Sequence, residues 1–182
     1  MAGNRFLDER EAYRILAEGE YGFLSLVTPE GGPYGIPLNY VWLPEERCVF
    51  FHCAKSGRKL DCIRARPEVC FTVVGPARVI PERYNTRYES AVFTGTASIV
   101  TDPAEKREKL DLLARRFSPG DPRREEVVEK YLPAVCICKL ACARQAPNGT
   151  REIKTGGRKA ASRFSHVIRT LSGRLRRFGG PG

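Results

Sequence analysis

The sequence contains no apolar run that approaches the ~18 residues needed to span a bilayer as a helix. Its first six residues have no long apolar core, so we expect no secretory leader and a cytoplasmic location. Global disorder is also excluded, because hydrophobic residues make up 42% of the 182 residues and can form a packed core. This length suits one ordinary domain with a short tail.

Excess charge is absent from most of the chain, although the net charge is +10. Residues 1–138 carry 20 basic and 20 acidic side chains, whereas residues 139–182 carry 11 basic side chains and 1 acidic one. A basic globular domain is therefore excluded. We expect a neutral domain over residues 1–140, followed by a basic tail over residues 141–182.

The tail has a basic amphipathic pattern over residues 162–178, where apolar side chains recur at helical spacing and arginines fill the other positions. Gly173 weakens this pattern. Three interpretations stay open: a solvated disordered tail, a helix docked on the domain, and a helix on an anionic membrane surface. Nucleic acid is disfavoured as a partner, because its charge gives no reason for the apolar stripe.

Metal-binding spacing is absent as well. The seven cysteines include no Cys-x-x-Cys pair, and the chain has two histidines, His52 and His166. Most cysteines lie in apolar runs such as residues 69–71, where a thiol behaves as a small buried hydrophobic group. We therefore expect reduced thiols and no metal site.

Short segments of β-branched and aromatic residues alternate with turn residues through the domain. Asp8 and Glu11 form a capping box that starts a helix, and Gly19 ends it. Six strands are predicted, and they cover residues 21–28, 33–43, 48–53, 69–74, 88–100 and 134–140. Further helices are predicted over residues 56–65, from Asp102 onward and over residues 125–132. The pattern predicts a mainly β fold with peripheral α-helices, a six-stranded antiparallel barrel in which Gly95 permits a bulge or a corner.

The segment from Phe50 to Lys59 joins a buried strand to the start of a helix. Ser56 is the natural N-cap, and the first-turn amides of Gly57, Arg58 and Lys59 are free donors. A helix N-terminus with adjacent cations favours phosphate binding, and Gly57 lets an anion approach the backbone closely. The alternative is an ordinary capped helix whose basic side chains are solvated.

Four further polar side chains are candidates for a ligand pocket. His52 ends the strand beside the phosphate site and is either a packed imidazole or a functional one. Asn39 lies in an otherwise apolar strand, so its amide bonds either a ligand ring or a neighbouring backbone group. Tyr88 and Ser90 share a strand face and could reach one pocket, whereas core packing is the simpler interpretation.

Four motifs occur in the order in which a known family has them: YGIPLNY at 34–40, FHCAKSGRK at 51–59, RPEVCF at 66–71 and YESAVFTG at 88–95. Over residues 6–140 they resemble the pyridoxamine 5′-phosphate oxidase-like flavoproteins, and within them the nitroimidazole-resistance (NimA-type) subgroup. Each motif alone is weak, and the four in order are specific. The chain departs from the family after residue 140, where the family's acidic and apolar continuation is missing.

The resemblance implies an FMN-binding split β-barrel that forms a homodimer with two flavin sites at the subunit interface. It places the FMN phosphate near Arg58 and Lys59, with Ser56 and Gly57 shaping the turn. The other cofactor-binding residues that it implies lie around the flavin: Asn39, Phe51, His52, Tyr88 and Ser90.

The activity implied is that of an FMN-dependent oxidoreductase with a small-molecule electron acceptor, nitroaromatic compounds among them. His52 is the one candidate for a catalytic side chain. Two alternatives stay open, a non-catalytic flavin-binding module and a deazaflavin-dependent reductase on the same barrel. Pyridoxal phosphate synthesis is disfavoured, because the late Arg/His substrate motif of the true pyridoxamine oxidases is missing.

Overall fold

A computed structural model describes residues 5–6, 8–145 and 150–151, with side chains described from residue 8 to residue 142. The helices in this part of the chain are α1 (Glu9–Glu18), α2 (Arg58–Ala65), α3 (Pro103–Phe117) and α4 (Arg124–Tyr131), with a 3-10 turn at Pro81–Arg83. The strands are β1 (Arg5–Phe6), β2 (Tyr21–Val27), β3 (Pro33–Asn39), β4 (Val41–Leu43), β5 (Cys48–Ala54), β6 (Glu68–Ile80), β7 (Asn85–Ile99), β8 (Val135–Gln145) and β9 (Thr150–Arg151). Among the described helices, none has the length and hydropathy that crossing a membrane requires.

Helix α1 begins where the capping box predicts. The Asp8 side chain accepts a hydrogen bond from Glu11 N at 2.7 Å, and the Glu11 side chain accepts one from Asp8 N at 3.2 Å. Ile15 and Leu16 are buried against the sheet, and Gly19 ends the helix by donating its N–H to Ile15 O. The predicted helix and both of its ends are confirmed.

The main sheet contains seven antiparallel strands in the order β3-β2-β6-β7-β8-β5-β4, and β1 pairs separately with β9. The count exceeds the predicted six because Tyr40 interrupts the strand predicted over residues 33–43. Its two parts, β3 and β4, form opposite edges of the sheet. One residue joins these edges, so the sheet must curl until they meet. Among the described residues no ladder pairs β3 with β4, which makes the barrel a split one.

Strands β6 and β7 form a longer hairpin than the sequence predicts. The predicted strands end at Val74 and begin at Tyr88, whereas the observed ladder continues to the pair Ile80 and Asn85. A register shift between Val74 and Ala77 accommodates a Gly-Pro pair that is typical of a turn. This bulge explains why the prediction ended the strand too early.

The last long strand also extends beyond its predicted end. Strand β8 runs to Gln145, past the predicted end at Leu140, and Thr150–Arg151 pairs with Arg5–Phe6. The helical pattern predicted over residues 162–178 lies outside the described residues.

Two apolar clusters meet at strand β5. Val49 and Phe51 belong to the cluster inside the barrel, whereas Cys48 and Phe50 belong to a second cluster that includes buried residues of α3 and α4. All four side chains are almost fully buried. Because both faces of β5 are covered, the position of its C-terminal end is well determined.

The bulge predicted at Gly95 is confirmed, since the register between β7 and β8 shifts between Thr94 and Gly95. A Cβ atom at Gly95 would lie 2.1 Å from the backbone oxygen of Ala141. Backbone atoms of a paired strand cannot move aside as a side chain can.

We expect Gly95→Ala to lower the free energy of unfolding by about 2 kcal/mol or more, because overpacking against the β8 backbone strains the ladder. Urea unfolding measures the change. Gly32→Ala is the matched control, since its Cβ would have its nearest neighbour, Thr28 Oγ1, at 3.4 Å. Equal stability of the two variants would contradict the close approach at Gly95.

Candidate functional site

The candidate site lies where strand β5 leaves the core. Phe50 and Phe51 are fully buried, whereas His52 and Ala54 are exposed. After Ala54 the chain runs through an exposed loop into α2, which begins at Arg58. The two-sided packing of β5 therefore holds the start of α2 at a defined place on the surface.

The helix cap differs from the prediction. Gly57, not Ser56, occupies the N-cap position, and no side chain caps the helix. Gly57 has a φ of 134°, a conformation that side chains rarely permit. The amides of Leu60 and Asp61 donate the first helical hydrogen bonds to Gly57 O, at 2.9 Å and 3.3 Å. The amides of Arg58 and Lys59 come before these first bonds and have no partner within the helix, so they are available to an anion.

A cavity of about 190 Å³ opens at this point. Its lining combines residues of β3, β5, the following loop and α2: Tyr34, Cys53, Ala54, Ser56, Gly57, Arg58, Lys59 and Leu60. The structure thus brings together the four residues predicted at the phosphate site. Nothing lies within 4 Å of the position that a Gly57 Cβ would take, so this side of the backbone is open to a ligand.

Aromatic rings hold both cations of the cavity. The Arg58 guanidinium carbon lies 5.1 Å from the Tyr34 ring centroid, and Lys59 Nζ lies 5.4 Å from the Phe51 ring centroid. Cation–π contacts of this length contribute ~0.5–1 kcal/mol at exposed sites. Phe51 thus contacts a residue of the cavity from within the core.

His52 does not line the cavity. It projects to the opposite face of β5 from Phe51, as strand alternation requires. Desolvation, together with the positive charge of Lys59, holds the pKa of His52 below its ordinary value. The imidazole is therefore neutral at pH 7 and is not a third cation for an anionic ligand.

Asn39, Tyr88 and Ser90 lie elsewhere on the barrel. Asn39 Nδ2 donates a hydrogen bond to the backbone oxygen of Glu20 at 3.0 Å. Tyr88 is half-buried opposite Ala77, and Ser90 is buried opposite Val74. The structure does not place these three residues in the cavity lining, and their contact with a flavin stays a prediction.

Four lining residues, Tyr34, Cys53, Ala54 and Leu60, were not among the predicted site residues. Tyr34 reaches the cavity from β3, and no spacing in the sequence indicates that β3 approaches α2. Cys53 could have been found, because alternation along β5 places it on the same face as Phe51.

A second cavity, of about 380 Å³, lies between the end of α1 and the β6 bulge. Its lining residues are Ile15, Glu18, Gly19, Glu20, Tyr21, Val74, Gly75 and Pro76. The carboxylates of Glu18 and Glu20 would repel an anion, so this cavity is unsuitable for a phosphate. In the part of the chain that the structure describes, no group of three or more His, Cys, Asp or Glu side chains could hold a metal ion.

The family model described as pyridoxamine 5′-phosphate oxidase matches residues 8–143, and the chain therefore belongs to this family. The resemblance found in the four motifs is confirmed. No curated protein sequence matches the chain at a significant level.

Solved structures share the fold. A candidate 5-nitroimidazole antibiotic resistance protein from Bacteroides thetaiotaomicron has a TM-score of 0.64 at 20% identity, with 79% of this chain and 86% of that chain covered. A FAD-binding protein from Mesorhizobium loti has a TM-score of 0.58 at 18% identity, covering 78% and 94%. The FAD and heme binding protein from Mycobacterium smegmatis has a TM-score of 0.61 at 22% identity, covering 81% and 70%. The predicted split-barrel fold is confirmed.

We expect the pKa of His52, measured by NMR titration, to lie below the ordinary value of ~6.5. The variant His166→Gln leaves His52 as the single titrating imidazole. Adding Lys59→Ala should raise the pKa toward the ordinary value, because a nearby positive charge is removed. Lys55→Ala, which removes an exposed charge of the same loop, is the control. A pKa that does not respond to Lys59→Ala would contradict the predicted electrostatic contact.

Proposed function

We propose that this chain is an FMN-binding oxidoreductase that holds the FMN phosphate at the start of α2. The observation that carries the proposal is the convergence of Arg58, Lys59 and the open backbone of Gly57 in one cavity. Charge-assisted hydrogen bonds from two cations are stronger than neutral ones. The positive end of the α2 dipole favours an anion at the same place.

The size of the cavity supports a phosphate monoester at its base. Ligand pockets typically measure ~300–1,000 Å³, and this cavity measures about 190 Å³. It suits a terminal phosphate group, whereas the isoalloxazine ring must lie outside it. The names of two structural neighbours state FAD binding, which agrees with a flavin. We propose FMN rather than FAD because the phosphate of FMN is a terminal group, which is what a cavity of this size suits.

The protein contributes to the chemistry by binding the cofactor, orienting its ring and excluding water. Arg58 and Lys59 bind the phosphate, and the rings of Tyr34 and Phe51 hold these cations in place before the ligand arrives. FMN, when bound, supplies two-electron transfer to a small-molecule acceptor. Nitroaromatic compounds are the proposed acceptor class, on the resemblance to the nitroimidazole-resistance subgroup. His52 remains the candidate for a catalytic side chain, and its neutral imidazole could donate or accept a hydrogen bond at the ring.

We also propose that the protein is a homodimer whose second subunit covers the ring. The outer face of β2 and β6 exposes Tyr21, Phe23 and Val74. Phe23 lies opposite Thr72 in the ladder, so Val74 projects to the same side as Phe23 and Tyr21. An apolar patch of this kind is typical of an interface between subunits, and twofold symmetry would give two equivalent sites.

Arg58→Ala combined with Lys59→Ala should weaken FMN binding at least about tenfold, because each charge-assisted bond contributes ~1.5–3 kcal/mol. Fluorescence titration measures the affinity. Riboflavin, which lacks the phosphate, should bind equally to the wild type and to this variant.

The matched control is Arg10→Ala combined with Lys130→Ala, which removes the same charge from exposed helix positions. Two results would contradict the placement of the phosphate: unchanged FMN affinity in the Arg58/Lys59 variant, or an equal loss in the control.

Light scattering on the full chain should report twice the 20.4 kDa of one chain. Phe23→Glu should shift the mass toward one chain, because a carboxylate would be buried in the interface. Tyr131→Glu is the control, since Tyr131 at 50% exposure is as accessible as Phe23 at 46%. A flavin-loaded monomer of the wild type would overturn the shared site.

A further inference from the structure

Three thiols lie on one face of the ladder between β5 and β8, next to the cavity. Cys53 is opposite Cys136, and Phe51 is opposite Cys138, so Cys53 and Cys138 are diagonal neighbours. Their sulfur atoms are 3.9 Å apart. The proposed flavin chemistry uses none of these thiols.

The two sulfurs of the close pair differ in accessibility. Cys53 is half-buried and lines the cavity, so a small solute can reach it. Cys138 is fully buried in the barrel core, within 3.9 Å of the Cys53 sulfur. This arrangement suits one attacking thiol and one resolving thiol.

The surroundings favour the thiolate of Cys53. The hydrogen bond with Cys138 lowers the pKa of Cys53, and the positive charges of Lys59 and Arg64 act in the same direction. The contact with Cys53 and burial raise the pKa of Cys138, so Cys138 is the thiol of the pair that keeps its proton. The thiolate is the reactive form of a cysteine.

We propose that Cys53 and Cys138 form a redox-active pair that hydrogen peroxide converts reversibly into a disulfide. In the first step the Cys53 sulfur attacks a peroxide oxygen, the O–O bond breaks, and a sulfenic acid and water form. In the second step the Cys138 sulfur attacks the sulfenic sulfur, the S–S bond forms as the S–O bond breaks, and the hydroxide that leaves takes the Cys138 proton to form a second water. Two thiols are oxidised and one peroxide is reduced to two waters, so the reaction balances.

The required movement is small and lies at the exposed end of the strand, where Cys53 is half-buried. A disulfide has an S–S length of ~2.05 Å, so the sulfurs must approach by about 2 Å. Cys53 is followed by Ala54 and an exposed loop, which can move with it. Because Cys53 lines the cavity, the disulfide would change the wall of the proposed phosphate site.

The test counts free thiols after denaturation of the full chain, before and after treatment with hydrogen peroxide. The wild type should fall from seven thiols to five and return to seven with dithiothreitol. Cys53→Ser should keep its six thiols. Cys138→Ser should lose one thiol, with a sulfenic acid that dimedone traps at Cys53.

Cys70→Ser is the matched control, because Cys70 is also half-buried but lies on β6, away from the pair. It should fall from six thiols to four. Mass spectrometry after trypsin should find peptide 48–55 linked to peptide 131–139, with fragmentation assigning the bond to Cys53 and Cys138.

A wild type that keeps seven thiols would overturn the proposal. So would an equal loss in Cys53→Ser, a bond assigned to Cys136 or Cys48, or a linkage between two chains. The thiol count requires no flavin, so its outcome is independent of the phosphate site.

Discussion

The fold depends on one short connection, the single residue Tyr40 between β3 and β4. These strands are opposite edges of a seven-stranded sheet, yet the Cα atoms on either side of one residue cannot lie more than about 7 Å apart. The sheet must therefore curl into a barrel. Tyr40 also fixes this connection to its neighbours α1 and β6. Its hydroxyl donates a hydrogen bond to Leu16 O at 2.7 Å, and its ring packs edge-on against Phe71 at a centroid distance of 5.0 Å. Burial raises the pKa of this hydroxyl, so it remains a donor.

The curled sheet determines where the candidate site lies. Curling surrounds one face of β5 with the barrel core, and the second apolar cluster covers the other face. The strand becomes accessible only from His52 onward, and the start of α2 follows at once. The same curl brings Tyr34 of β3 to the cavity beside Arg58. The proposed phosphate site therefore depends on the curl of the sheet as much as on the local helix start.

Lys59 connects the separate observations at this site. Its ammonium group lies against the Phe51 ring, lines the cavity, and lowers the pKa of both His52 and Cys53. One half-buried cation thus serves the proposed anion site and favours a neutral imidazole and a thiolate nearby. A bound phosphate would partly neutralise that charge, so ligand binding and the reactivity of Cys53 are expected to oppose each other.

The sequence by itself determined the local features, because these depend on neighbours along the chain. The capping box at Asp8, the bulge at Gly95, and the cations at the start of α2 were all predicted from residue type and spacing, and the four motifs predicted the family. Only the tertiary structure decided the break at Tyr40, which the alternation of strand 33–43 conceals, and the shift of the helix cap from Ser56 to Gly57. It also decided the approach of Tyr34 to the cavity and of Cys138 to Cys53. The physical reason is that strand pairing joins residues far apart in sequence, and a register of this kind depends on the partner strand as well as on the residues themselves.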